Sequence, residues 1–302
     1  MQSRLIPNTD IEVSAVCVGT MLFGTPVGEA EAAAIVDAAL DGGANFFDTA
    51  NMYEGYTRYI GSAGGLSEEL LGKALAGRRG EAVVATKVGM AIGPEAGDRG
   101  LSAPHMRREC ERSLRRLRTD RIDVYYMHTP DEATPLEESI EAMAVLIEEG
   151  KVRFWGISNF DSGQTKDLLA ACDAGGWPRP VLHQPQYSLV HRGIEADLIP
   201  LCRGEGIGLV PYRVLESGLL SGKYEGGIPG GSRAEDNPAW IPQLEDEEIM
   251  AEVRKLRETA RERGRSLYEH VLQETAAVPG ITSILLGIKR PEQIEQACEV
   301  LA

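Results

Sequence analysis

No stretch of this chain stays apolar for the ~18 residues that a membrane span needs, so a bilayer-crossing helix is not expected. Cations are scarce: 31 Lys and Arg stand against 46 Asp and Glu, a formal net charge of −15. That balance argues against wholesale binding of nucleic acid or of an anionic membrane. Any basic pocket must then be built from few residues, which makes it easier to find. Cysteine is sparse and odd in number: Cys17, Cys110, Cys172, Cys202 and Cys298, none in C-x-x-C spacing. Neither a disulfide framework nor a zinc site is expected, and a reducing compartment fits. The opening "MQSRLIPNTDIEV" has no basic-then-apolar leader, so the expected location is cytoplasmic. Also missing is a G-x-G-x-x-G after the first strand-like run, which disfavours a dinucleotide-binding doubly wound sheet.

What is present is a regular alternation. "AVCVG" (15–19), "NFFD" (45–48), "AVVATK" (82–87), "IDVYYMH" (122–128), "VRFWGIS" (152–158), "VLHQ" (181–184), "GLVPY" (208–212) and "SILLG" (283–287) read as strands. Helical periodicity fills the gaps between them, as in the stripe Leu136, Ile140, Met143 and Ile147 that ends at Gly150. A helix is expected from Ser67, another after a Ser102 cap, and the last from Pro291. Eight strand–helix units without a composition break favour a (β/α)8 barrel forming one domain over residues 1–302. "RLIPNTDIEV" (4–13) reads as a short hairpin across the barrel bottom, and residues 224–243 as a long loop after the seventh barrel strand.

Chemistry in such barrels gathers at the C-terminal ends of the strands. Those ends carry Asp48, Tyr53, Lys87 and His128. A lone lysine there usually reaches for water, and a lone histidine is usually a satisfied core residue. Four ionisable groups on three consecutive strand ends point instead to one site. A phenol is too weak an acid for neutral pH unless a neighbouring ammonium draws its pKa down. Lys87 can do that, Asp48 can hold Lys87, and His128 can donate to a carbonyl oxygen. The set moves a proton on or off oxygen. It contains no metal site, so a redox equivalent must come from a cofactor. A Schiff-base role for Lys87 also suits a barrel lysine.

"FFDTANMY", "VVATKVG", "VYYMHTPD", "FWGISNF", "QPQYSLV", "PYRVLESGLLSGKY" and "LLGIKRPEQIEQ" occur in an order and spacing that resembles the aldo-keto reductase family. The resemblance covers essentially the whole chain. It implies a (β/α)8 barrel that interconverts a small carbonyl (aldehyde, ketone or ketosugar) and an alcohol, with NADPH preferred and NADH as the alternative. It implies that Tyr53 is the acid, that Asp48 and Lys87 tune it, and that His128 orients the substrate oxygen. By the same resemblance Ser158, Asn159 and Gln184 hold the nicotinamide carboxamide and Tyr212 stacks on its ring. Further cofactor contacts are implied at Gly19, Thr20, Met21, Arg213, Leu215, Gly218, Leu219, Lys223, Arg233, Gly287, Lys289, Arg290 and Gln293.

Several positions depart from the family pattern. Arg213 stands where many members have Ser, and Gln296 and Ala297 where members commonly place Glu and Asn against adenine. Residues 54–65 are a lengthened segment that could cover substrate. "GKYEGGIPGGSR" resembles the corresponding loop of the potassium-channel β subunits in this family, which raises a regulatory, cofactor-binding subunit as the alternative to an enzyme. Phe23, Tyr56, Tyr59, Thr129 and Trp155 are the candidate pocket residues. Substrate identity, reaction direction and oligomeric state are left open by the sequence.

Overall fold

In the computed structural model the described residues are 1–55, 64–224, 227–230, 232–237 and 241–302, without the side chains of Arg233 and Asp236. Two three-residue strands, β1 (Ser3–Leu5) and β2 (Glu12–Ser14), form an antiparallel hairpin. Eight parallel strands follow: β3 (Val16–Gly19), β4 (Phe46–Asp48), β5 (Val83–Val88), β6 (Ile122–Met127), β7 (Val152–Ser158), β8 (Leu182–Gln184), β9 (Gly208–Leu209) and β10 (Ile284–Gly287). They run in the order β10-β3-β4-β5-β6-β7-β8-β9. The ring closes through the seam between β9 and the approach to β10. There Leu209 N donates to Gly280 O at 2.9 Å, Thr282 N to Leu209 O at 2.8 Å and Leu285 N to Pro211 O at 3.0 Å. This is the expected (β/α)8 barrel, with its N-terminal hairpin.

Period-two alternation sorts each strand into an inner and an outer face. Cys17, Phe46, Ala85, Val124, Tyr126, Leu182 and Val210 fill the barrel, and Ile6, Ile11 and Val13 of the hairpin region plug it from below. Val18, Phe47, Val84, Tyr125, Trp155 and Ile157 face outward into a larger core under the helices. Those helices are α1 (Glu29–Asp41), α2 (Leu66–Ala74), α3 (Ala103–Leu117), α4 (Leu136–Glu148), α5 (Ser162–Gly175), α6 (Leu198–Gly204), α8 (Glu247–Glu262), α9 (Leu267–Ala276) and α10 (Pro291–Val300), with the short α7 (Arg233–Asp236) in the long loop after β9.

Four expectations change. The seventh barrel strand is two residues long rather than five, because Pro211 has no N–H for a ladder, and pairing resumes only as an isolated bridge between Gln186 and Tyr212. Ser67 does not cap α2: Gly65, in the left-handed region at φ 85°, does, and Ser67 is the second residue of the helix. Trp155 is no pocket residue. It faces outward, is buried, and donates from Nε1 to Pro178 O at 2.9 Å. Phe23 is likewise in the outer core.

Candidate active site

Strand alternation brings the four ionisable groups to one rim. Asp48 closes β4 two residues after the inward Phe46, and Lys87 follows the inward Ala85 on β5. Asp48 pairs with Ala85 across the ladder, and Lys87 with Tyr126. A turn after Asp48 then returns Tyr53 over Lys87. Asn51 N donates to Lys87 O at 3.1 Å and Tyr53 N to Ala50 O at 3.1 Å.

The Lys87 ammonium has three protons and finds three acceptors. It is ion-paired to Asp48 Oδ1, donates to Thr49 O at 2.8 Å and reaches Tyr53 Oη at 3.4 Å. Its Nζ also lies 4.9 Å from the centre of the Tyr53 ring. The second oxygen of Asp48 accepts from Gln184 Nε2 at 2.8 Å. His128 stands edge-on to Tyr53, ring centres 5.8 Å apart and planes at 81°. Asp48 and Lys87 are fully buried, His128 nearly so, and Tyr53 is half-buried.

The electrostatics follow from burial and pairing. Burial would lower Lys87, but Asp48 and then Tyr53 outweigh it and hold the ammonium above its ordinary value. A protonated, triply engaged amine is a poor Schiff-base nucleophile. Burial pushes the Asp48 carboxyl up against the pull of Lys87 and Gln184. For Tyr53 the sequence expectation needs correcting. Lys87 does draw the phenol down, but burial, reinforced by the Asp48 charge, is the larger influence, and the net direction is up.

Around this core the predicted cofactor residues form a linked set. Ser158 Oγ donates to Gln184 O at 2.8 Å. Asn159, at φ 63°, donates from Nδ2 to His128 O at 2.9 Å and to Ser158 Oγ at 3.2 Å. Its Oδ1 accepts from the Tyr212 hydroxyl at 2.7 Å. Gln184 is thus tied to Asp48, which the sequence did not reveal. Gly19 is explained by packing: a Cβ there would come within 2.8 Å of Leu285 Cδ2. Thr20 turns its hydroxyl inward to Asp48 O and Leu219 is buried in the core, so each can offer a ligand only main chain. Met21 is 40% exposed.

After β9 the chain is bent sharply, with Arg213 at φ 60°, Glu216 at 43°, Ser217 at 56° and Gly218 at 98°. Arg213 and Lys223 are exposed, Leu215 is half-buried, and Lys223 overlies Gly218. Glu216 is fully buried and accepts from Ser188 Oγ at 2.8 Å. Gly287 has open space where a side chain would be, and beside it Lys289 is half-buried and Arg290 exposed. Gln293 Oε1 accepts from the N–H groups of Lys289 and Arg290, at 2.8 and 3.1 Å. Pro291 has no N–H, so the start of α10 draws an anion mainly through the charge of Lys289 and Arg290. Ala297 is buried in the core and Gln296 exposed. Thr129 is half-buried at the rim. Tyr56, Tyr59, most of the 54–65 segment and the Arg233 side chain lie outside the described residues. Among the described residues no cluster of three His, Cys, Asp or Glu could hold a metal, and no helix is long and apolar enough to cross a membrane.

A family model, that of the Aldo/keto reductase family, matches residues 15–302. The chain belongs to this family. It is similar to a probable voltage-gated potassium channel subunit beta of Arabidopsis thaliana, 33% identical over 304 residues, 98% of this chain and 90% of that protein. It is 35% identical over 311 residues to an uncharacterized oxidoreductase, YrpG, of Bacillus subtilis (strain 168), covering 100% of this chain and 91% of the other. To L-glyceraldehyde 3-phosphate reductase of Escherichia coli (strain K12) it is 31% identical over 312 residues, 100% of this chain and 88% of the other. As an aldo/keto reductase the chain is an NAD(P)H-dependent oxidoreductase acting on small molecules, with carbonyl reduction as its general chemistry.

Proposed function

We propose that this aldo/keto reductase interconverts a carbonyl (aldehyde, ketone or ketosugar) and an alcohol, using NADPH in preference to NADH, with Tyr53 as the proton donor. The nicotinamide supplies the hydride when bound. The observation that carries this reading is the placement of the Lys87 ammonium on the phenol oxygen, 3.4 Å away. A phenol oxygen that accepts from Lys87 has its own proton free to point toward the rim. As that proton leaves, the ammonium stabilises the phenolate. Asp48 holds Lys87 charged in a dry place, and His128 stands beside the phenol where it can orient the substrate oxygen. Asn159, Ser158 and Gln184 would hold the carboxamide, and Tyr212 would cover one face of the ring, so that the other meets the substrate. Lys289 and Arg290 are the cations that would meet a 2′-phosphate. The whole chain, residues 1–302, is read as one such domain, working in the cytoplasm.

Tyr53→Phe is the direct test. Losing the general acid should lower kcat by about 10²–10⁴-fold while leaving cofactor binding within a small factor of wild type. Near-wild-type turnover would remove Tyr53 from this role. The similarity to the Arabidopsis channel subunit supports a second reading, a regulatory subunit with incidental turnover. A panel of aldehydes, ketones and ketosugars assayed with NADPH, alongside a pull-down for a membrane partner, separates the two.

A further inference from the structure

The first turn of α2 touches three of the groups that set this site. Because the helix starts from Gly65, Ser67 points back at the barrel instead of capping. Its N–H donates to Tyr53 O at 3.0 Å. Its hydroxyl donates to Thr20 O at 2.7 Å and lies 2.8 Å from the Thr20 hydroxyl and 2.9 Å from that of Thr49. Thr20 in turn holds Asp48 O with both its N–H, at 2.9 Å, and its hydroxyl, at 3.0 Å. Three hydroxyl protons serve these four contacts: Thr49 donates to Ser67, Ser67 to Thr20 O, and the Thr20 proton is shared between Ser67 Oγ and Asp48 O. All three side chains are fully buried, so no water can substitute for a lost member. The next residue, Glu68, accepts from Thr86 Oγ1 at 2.6 Å and from Arg116 Nη1 at 3.0 Å, and Thr86 adjoins Lys87.

A buried hydroxyl cluster usually does no more than satisfy itself. This one differs because its strands of bonds end on separate partners of one ammonium: Thr49, whose carbonyl accepts from Lys87, Asp48, and the main chain of Tyr53. We propose that Ser67 is a positioning residue for the reaction, holding Thr49 and Tyr53 at the spacing that keeps Lys87 on the phenol oxygen. The inference rests on the roles proposed for Tyr53 and Lys87. The contact it protects is the longest of the three made by the ammonium, at 3.4 Å. A shift of a few tenths of an ångström, roughly what separates a weak hydrogen bond from none, would break it.

The experiment compares wild type, Ser67→Ala, Ser67→Thr, Thr49→Val and Tyr53→Phe for kcat, KM, cofactor affinity and the pH dependence of alcohol oxidation. Ser67→Ala should lower kcat about tenfold with KM and cofactor affinity nearly unchanged. It should also move the alkaline rise of oxidation up by about one pH unit, since the phenolate loses part of its support. Thr49→Val should shift it in the same direction, and Ser67→Thr, which keeps the hydroxyl, should restore it. A lower melting temperature with the pH profile in place would make Ser67 merely structural and overturn the proposal. Should Ser67→Ala fail to fold, an unmoved profile in Thr49→Val overturns it equally. If Tyr53→Phe is inactive while these profiles stay put, only this inference falls. If Tyr53→Phe turns over normally, the proposed function falls with it.

Discussion

Lys87 carries its charge at a position with no exposure to solvent. A buried ammonium is tolerated there because each of its protons has an acceptor and one acceptor is a carboxylate. The pH behaviour of the site follows from signs alone. Tyr53 is raised, by burial first and by Asp48, with Lys87 opposing. With Tyr53 as the proposed proton donor, carbonyl reduction needs the protonated phenol and alcohol oxidation the phenolate, so kcat for reduction should stay flat through neutrality and fall only above the ordinary tyrosine range. Alcohol oxidation should rise by about tenfold per pH unit below that pKa. Lys87→Met removes the one influence that lowers the phenol. The oxidation limb should then move to still higher pH, and turnover in both directions should drop; a limb that moved down or stayed put would show that Lys87 does not support the phenolate. In the proposed reading, cofactor choice also rests on single residues. With the Lys289 and Arg290 amides taken by Gln293, a 2′-phosphate depends on side-chain charge. Lys289→Ala should therefore cost about 1.5–3 kcal/mol, the range for a hydrogen bond to a charged group, or about 10–150-fold in NADPH affinity. NADH binding should barely change. Equal losses for both cofactors in a titration would take Lys289 away from the phosphate.

The elements that present these residues are short, and their registers leave little slack. β7 crosses Tyr126 at Gly156, where a Cβ would lie 2.5 Å from the Tyr126 ring and 2.7 Å from Leu182 O. Only a residue without a side chain lets β7 lie between β6 and β8 at this spacing. Gly156→Ala should destabilise the barrel by about 1–3 kcal/mol, the usual cost of overpacking, seen as a lower Tm. An unchanged Tm would mean that Tyr126 has room to swing away. At this scale the sequence was informative wherever chain order decides position. Asp48, Lys87 and His128 could be placed at one rim because chain order fixes which end of each barrel strand carries them. Trp155 was left open between pocket and core because an aromatic on a strand looks the same from either face until its neighbours are known. The length of β9 and the start of α2 were missed for a local reason, Pro211 in one case and the left-handed Gly65 in the other. The bonds from Gln184 to Asp48 and from Ser67 to Thr20 join residues 136 and 47 positions apart, and no local pattern announces such a pairing.

For the molecule as a whole the decisive feature is closure. An open sheet has two edge strands from which unfolding can begin, whereas a ring has none. Here the last strand, β10, pairs along its length with the first barrel strand, β3, from Ile284 opposite Val16 to Gly287 opposite Gly19. The other side of the seam rests on the few bonds around Leu209. The hairpin before β3 plugs the bottom with Ile6, Ile11 and Val13, so residues from both ends of the chain are needed before the interior is sealed. If the whole chain is one domain, as proposed, it should lose its helices and its tertiary packing together. In urea, far-UV circular dichroism and the fluorescence of the tryptophans, one of which is the buried Trp155 on β7, should give coincident transitions. Thr282→Pro deletes the N–H that bonds Leu209 O across the weak side of the seam. It should move both transitions to lower urea by the same amount, because opening the ring exposes every strand to unfolding. Two separated transitions, or a shift in one signal alone, would mean that the barrel comes apart in pieces and that closure does not make it one cooperative unit.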